Sequence, residues 1–235
     1  MTRADVGRSV AVLGGLAVVN VLAQRTRAPG DAVVPLGALA LLAGARASGL
    51  TAAELGLDPA ANRRGVTAAA LAASATIGTI SAASWLPAAQ GFRADARYST
   101  APAAARGAFL TIPLATAVPE EVLFRSVLDA SLRRHLSPAA ATAVGATAFG
   151  LWHVLGALTL ASDNEGIGAL LEDRPRPALA TAAGAAVATG AAGLAFLALR
   201  RRTDSVVAPV AVHWALNATA ALLAGVRRRR PALAD

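Results

Sequence analysis

Runs of Ala, Val, Leu and Gly about as long as a bilayer crossing alternate along the 235 residues with short clusters of Arg, Asp and Pro. A hydrocarbon core ~30 Å thick is spanned by about 20 apolar residues in helical form. Read between the polar clusters, the runs predict helices near residues 8–24, 32–49, 66–88, 107–132, 138–160, 178–199 and 206–226. The pattern therefore predicts an all-α fold, a polytopic transmembrane helical bundle of about seven spans. Small residues fill every run, and in lipid they let helix backbones approach closely, so a compact bundle is expected.

The connections carry the turn chemistry. Residues 50–65, which include Asp58-Pro59 and Arg63-Arg64, read as an interfacial turn with a short amphipathic segment. Residues 89–106 and 161–177 read as polar loops containing Pro, Asp and Arg. The first apolar run, after Arg3 and Arg8, has the outline of a signal peptide ending at Val21-Leu22-Ala23, but further spans follow and a retained first helix suits them better. Arginines outside the spans divide almost evenly between the two sides of the bundle. With the cluster Arg227 to Arg230 set aside, the positive-inside bias puts the N-terminus, the 50–65 turn and Arg133-Arg134 on the cytoplasmic side.

Composition narrows the class further. The chain is 55% apolar and only 15% charged, which excludes an ordinary soluble domain. Its net charge of +8 would suggest nucleic acid in a soluble protein, but here the basic residues punctuate apolar runs, so a lipid bilayer is the partner and nucleic acid is not. All the basic residues are arginine, which together with the Ala, Gly and Val usage reads as genomic bias of a bacterial kind and places the protein in a bacterial cell membrane. Cysteine is absent, so disulfides and thiolate chemistry are excluded. Any catalysis has to use carboxylate, imidazole, hydroxyl or a metal held by oxygen and nitrogen.

Against that background three polar sets inside the spans stand out. Glu120-Glu121 interrupts the apolar stretch Phe109 to Arg125 within the 107–132 span, where one ionised carboxylate costs at least ~2.5 kcal/mol. Glu121 and Arg125 are four apart and share a helix face, whereas Glu120 points about 100° away. Phe149 and His153 repeat that spacing, and so do His213 and Asn217. Each set has a plain alternative: Glu121 with Arg125 as an ion pair fixing register, His153 as a packing residue, Asn217 as a polar tie between helices. His135 reads as a surface or C-cap residue, Trp85 as an interfacial anchor, and Trp152 and Trp214 as packing or pocket walls. Jointly the sets supply two carboxylates, an arginine, two imidazoles and an amide on three spans, the makings of a hydrolytic site in which Glu120 activates water.

The motifs Glu120-Glu121-x-x-x-Arg125, Phe149-x-x-x-His153 and His213-x-x-x-Asn217 resemble, in order and spacing, the type II CAAX prenyl endopeptidases and the wider CAAX protease and bacteriocin-processing family of intramembrane proteases. The resemblance spans residues 105–226, preceded by N-terminal helices over 1–104 and followed by a basic tail over 227–235; Glu54-Leu-Gly-Leu57 is similar to a segment that often precedes the core in bacterial members. It implies peptide-bond hydrolysis on a peptide or membrane-protein substrate, with Glu120 and His153 polarising water, Glu121 and Arg125 ordering the site, and His213 and Asn217 stabilising the oxyanion. Zinc held by Glu and two His is implied as one mechanism and a metal-free glutamate mechanism as the other. Two further readings of the bundle stay open: a non-catalytic scaffold or immunity protein that binds a peptide or membrane partner, and an ion-coupled carrier, against which no pair of symmetry-related interrupted segments appears.

Overall fold

A computed structural model describes residues 3–25, 30–86, 95–163 and 177–226. The basic tail over 227–235, residues 89–94 and most of the loop expected at 161–177 lie outside these residues. The rest of the loop expected at 89–106 is largely helical, with a short turn of helix at Ala96–Tyr98 and a long helix already under way from Ala101, where Thr100 caps it and Pro102 sits in the first turn. Eight helices carry the architecture among the described residues: α1 Arg3–Arg25, α2 Gly30–Ala47, α3 Pro59–Ala83, α4 Ala101–Arg133, α5 Pro138–Trp152, α6 Val154–Asp163, α7 Pro177–Thr203 and α8 Val207–Gly225. Six helical stretches are long and apolar enough to cross a membrane, one of them continuing through the α5–α6 break as Pro138–Leu158, and the shorter apolar Ala32–Ala47 makes the seventh.

The main departure from the sequence reading is the start of α3. It begins at Pro59, not near residue 66, because Asp58 accepts from the Ala61 N–H at 2.8 Å and Pro59 occupies the first turn. A carboxylate N-cap followed by proline nucleates a helix whatever the hydropathy, so Arg63 and Arg64 ride inside it.

Helix α3 packs along α8, α5 along α7, and α1 along α2, while α4 runs against α8 and α2. Much of the outer surface is apolar, with Val10, Leu36, Leu71, Leu114 and Val187 all exposed, as a lipid-facing wall requires. The interior holds Glu120, Glu121, Arg125, Asp129, Arg200 and His213. Close helix approach follows from missing side chains: at Gly150 an added Cβ would run into the Ala186 carbonyl, so α5 and α7 touch backbone to backbone.

One end of the bundle is gathered by the 50–58 turn. Leu50 and Leu55 are buried, Gly56 takes φ +69° and leaves room for the Arg200 guanidinium, and Arg200 Nη2 donates to the Glu54 carbonyl at 2.8 Å. Arg134 grips the same turn through Glu54 Oε1 at 2.6 Å and the Gly49 carbonyl at 3.1 Å. Arg8 Nε adds a bond to Ser48 Oγ at 2.9 Å. The start of α1, this turn and the ends of α4 and α7 therefore share one face of the bundle.

Helix α4 is unusual in its winding. It is α-helical at both ends and around Val118–Glu121, but Gly107–Ala117 and Val122–Leu128 are π-helical, with the Val118 N–H reaching the Pro113 carbonyl five residues back. In that register the donor for the Ala108 carbonyl would be the N–H of residue 113, which proline lacks. Trp214 Nε1 on α8 supplies it instead, at 2.8 Å.

Candidate active site

Placement of the site begins with that Trp214 bond. It fixes α8 against α4 one residue from His213, and His213 Nδ1 then meets Glu121 Oε1 at 2.8 Å. A carboxylate oxygen accepts, so Nδ1 carries the proton. The other Glu121 oxygen lies 3.1 Å from Arg125 Nε, an ion pair by distance that is not aligned as a hydrogen bond. The i, i+4 pairing expected on α4 is thus present, and a histidine from a second helix completes it.

Arg125 is buried and enclosed by rings. Its Cζ lies 3.9 Å from the Phe149 centroid, 5.0 Å from Phe196 and 5.8 Å from Phe124. Ring faces carry partial negative charge, so they compensate a desolvated cation that has few other partners. Its Nη2 also points at the Gly193 carbonyl at 3.5 Å. Phe196 in turn stacks on His213, with centroids 5.2 Å apart and ring planes at 23°.

Glu120 lies on the other face. Its Oε2 is 3.6 Å from His153 Nε2, too far for a direct hydrogen bond, and has no hydrogen-bond partner among the described residues. Each carboxylate takes its own histidine, because α8 delivers His213 to Glu121. His153 sits at the break between α5 and α6. Its N–H bonds the Gly150 carbonyl at 3.2 Å, a tightened turn, and its Nδ1 meets the Phe149 carbonyl at 2.8 Å. A carbonyl only accepts, so Nδ1 carries a proton, and in the neutral ring it is Nε2 that presents a lone pair toward Glu120.

Asn217 is one turn beyond His213 on α8, half-buried, with no hydrogen bond to its amide among the described residues. The geometry therefore joins Glu121, Arg125 and His213 in one cluster and Glu120 with His153 in a second, and leaves Asn217 beside them uncommitted. His135 lies at the end of α4 as expected, and Trp85 is 77% exposed at the end of α3.

Three residues of this region escaped the sequence reading. Phe196 is a lone aromatic in an Ala, Gly and Leu run that offers no periodic signal. Phe124 stands between the glutamates and Arg125 without a spacing of its own. Asp129, buried and bonded to Arg201 Nη2 at 2.7 Å, was legible: it is an acid inside the same 107–132 span, four residues after Arg125 and four before Arg133.

Zinc would need at least three nitrogen or oxygen donors converging on one point. Among the described residues no three His, Cys, Asp or Glu side chains come together as a metal-holding group. The donors form two separate carboxylate–imidazole pairs and do not fit zinc as placed.

Fold and site together define a membrane-embedded helical bundle with paired carboxylates and imidazoles at its centre. Residues 102–219, just over half of the chain, match the family model of the type II CAAX prenyl endopeptidase Rce1-like proteins, and the chain belongs to that family of CAAX-type intramembrane proteases. It is a multi-pass integral membrane protein. No curated protein and no solved structure matches it. The matched segment runs from the start of α4 into α8 and contains all six residues singled out above, whereas α1 to α3 precede it.

Proposed function

We propose that the chain is an endopeptidase that hydrolyses a peptide bond within the membrane, using water activated by Glu120 and His153, with residues 105–226 as the catalytic core. The observation that carries this reading is the 3.6 Å separation of Glu120 Oε2 and His153 Nε2. Two acceptors at that spacing can both hydrogen-bond one water, and neither is tied up by another side chain.

In the reaction, water oxygen attacks the scissile carbonyl carbon while its proton passes to Glu120. His153 Nε2 accepts the second water hydrogen as a hydrogen bond and orients the attack. The carbonyl oxygen becomes an oxyanion, stabilised by donors from the His213 ring in its doubly protonated form and from the Asn217 amide. Glu121 holds His213 Nδ1–H, and Arg125 balances the charge of Glu121. Collapse of the intermediate breaks the C–N bond, and the amine leaves with the proton held by Glu120. The substrate is a peptide or a segment of a membrane protein.

The test compares protein termini in membranes carrying the wild-type chain and Glu120→Gln, with and without a chelator. Loss of a general base lowers turnover by about 10²–10⁴-fold, so termini present with the wild type should vanish in the variant. Wild-type cleavage by Glu120→Gln defeats the mechanism. Cleavage abolished by chelator would restore the zinc alternative.

A further inference from the structure

His153 owes its position to a place where the helix stops. Helix α5 ends at Trp152, the His153 N–H slips to the Gly150 carbonyl, and the Phe149 carbonyl so released is taken by the histidine's own Nδ1. One more polar group reaches this break, and it comes from α1: Asn20 Nδ2 donates to the Trp152 carbonyl at 2.9 Å. Asn20 is 9% exposed on a helix otherwise buried through Val12, Leu16 and Val19, and an amide costs free energy in such a place unless it is bonded.

We propose that Asn20 is a positioning residue for His153. Its amide holds the peptide that joins Trp152 to His153, and the orientation of that peptide sets the direction in which the imidazole leaves the backbone. The Phe149 carbonyl then fixes the ring's tautomer, and the two contacts together point the Nε2 lone pair at Glu120. The packing agrees: Trp152 is 9% exposed and edge-on to Phe124 at 5.4 Å, so the residue before the break is itself held still. As a claim about catalysis this rests on the endopeptidase reading. As a claim about the ring it stands alone, and it assigns part of the site to a helix outside the family-matched segment.

The chain has three histidines, which suits a direct measurement. The full-length protein, with ¹⁵N-labelled histidine in lipid nanodiscs, is followed by ring-nitrogen NMR, and His153→Gln assigns the signal. The wild type should show a single Nδ1–H tautomer at His153. Asn20→Leu, which keeps the shape and removes the donor, should give averaged tautomers at His153 with His213 signals unchanged, and Asn20→Gln, which keeps the amide, should restore the wild-type pattern at least in part. If Asn20→Leu does not insert, Asn20→Ala serves in its place. An unchanged His153 tautomer in a folded, donor-less variant overturns the proposal.

The cleavage arm compares the Glu120-dependent termini. Asn20→Leu should slow their formation about tenfold, with no added effect in a His153→Gln background. Equal slowing in both backgrounds overturns the positioning role. If Glu120-dependent termini are absent from the wild type, the endopeptidase reading fails while the NMR result still decides the role of Asn20.

Discussion

Two carboxylate–imidazole pairs lie side by side in this bundle, and they are built differently. Glu121 with His213 is closed: the contact is 2.8 Å, the side chains are 0% and 5% exposed, and Arg125, Phe149 and Phe196 surround them. Glu120 with His153 is open: the contact is 3.6 Å, with side chains 9% and 27% exposed. A closed pair, held by a direct contact and walled by a cation and rings, is suited to fixing charge and orientation. An open pair has room for a reactant and can exchange protons. The same two residue types thus serve as frame and as tool according to what the surrounding helices deliver.

The sharpest way to break this comparison is to remove the frame's cation. Arg125→Met takes the permanent cation away from the buried Glu121, leaving it to His213, which costs about 3–5 kcal/mol, and chemical unfolding in detergent should show it. The control is His153→Ala, in the open pair, which should cost no more than about 1 kcal/mol. Equal costs for the two variants would erase the distinction between them.

A smaller effect is expected at the ring shared by both frame residues. Phe196→Leu keeps apolar volume but removes the stack on His213 and one face over Arg125, a loss of about 1–2 kcal/mol. Cleavage should fall with it, since His213 loses its lateral support while Glu120 and His153 stay in place. A variant as stable and as active as wild type would show that the stack is incidental.

The smallest effect sits far from the site, in the turn that gathers the bundle's end. Arg134 beside Glu54 lowers that carboxyl from its ordinary 4.5 to about 2. A group whose folded value is depressed contributes stability that is complete above about 4.5 and lost as pH falls from there toward 2. The pair is solvent-exposed, so the contribution is at most ~1 kcal/mol. Glu54→Gln should flatten that part of the pH–stability curve and leave the curve above pH 5 nearly parallel to wild type.

How much of this was legible depended on whether a signal was local. Hydropathy located the crossings because lipid imposes a length and a composition on each. It read 138–160 as one span and missed the break at His153, where the signal is a local hydrogen-bond exchange with no change in composition. The Glu121–Arg125 pair was legible from i, i+4 spacing alone. The start of α3 was misread because hydropathy was weighed above the capping signal Asp58-Pro59, which was present. His213 on Glu121 joins residues 92 apart, and no spacing encodes which carboxylate a distant helix will reach. Phe196 was silent for the same reason: its partners come from α4, α5 and α8, and nothing in its own run marks it.

Transmembrane helices are usually judged by their letters, yet in α4 the number of letters matters as much. The wide turns on either side of Val118–Glu121 change how far each residue advances around the axis, so the bearing of both glutamates is stored as a count. Deleting one alanine from Gly107–Ala117 would leave the hydropathy and the crossing intact while turning everything on one side of the gap relative to the other by one residue's advance, somewhat less than the about 100° of an α-helix. Such a chain would look like a relative by composition and carry the same motif, with its carboxylates turned out of phase with the histidines.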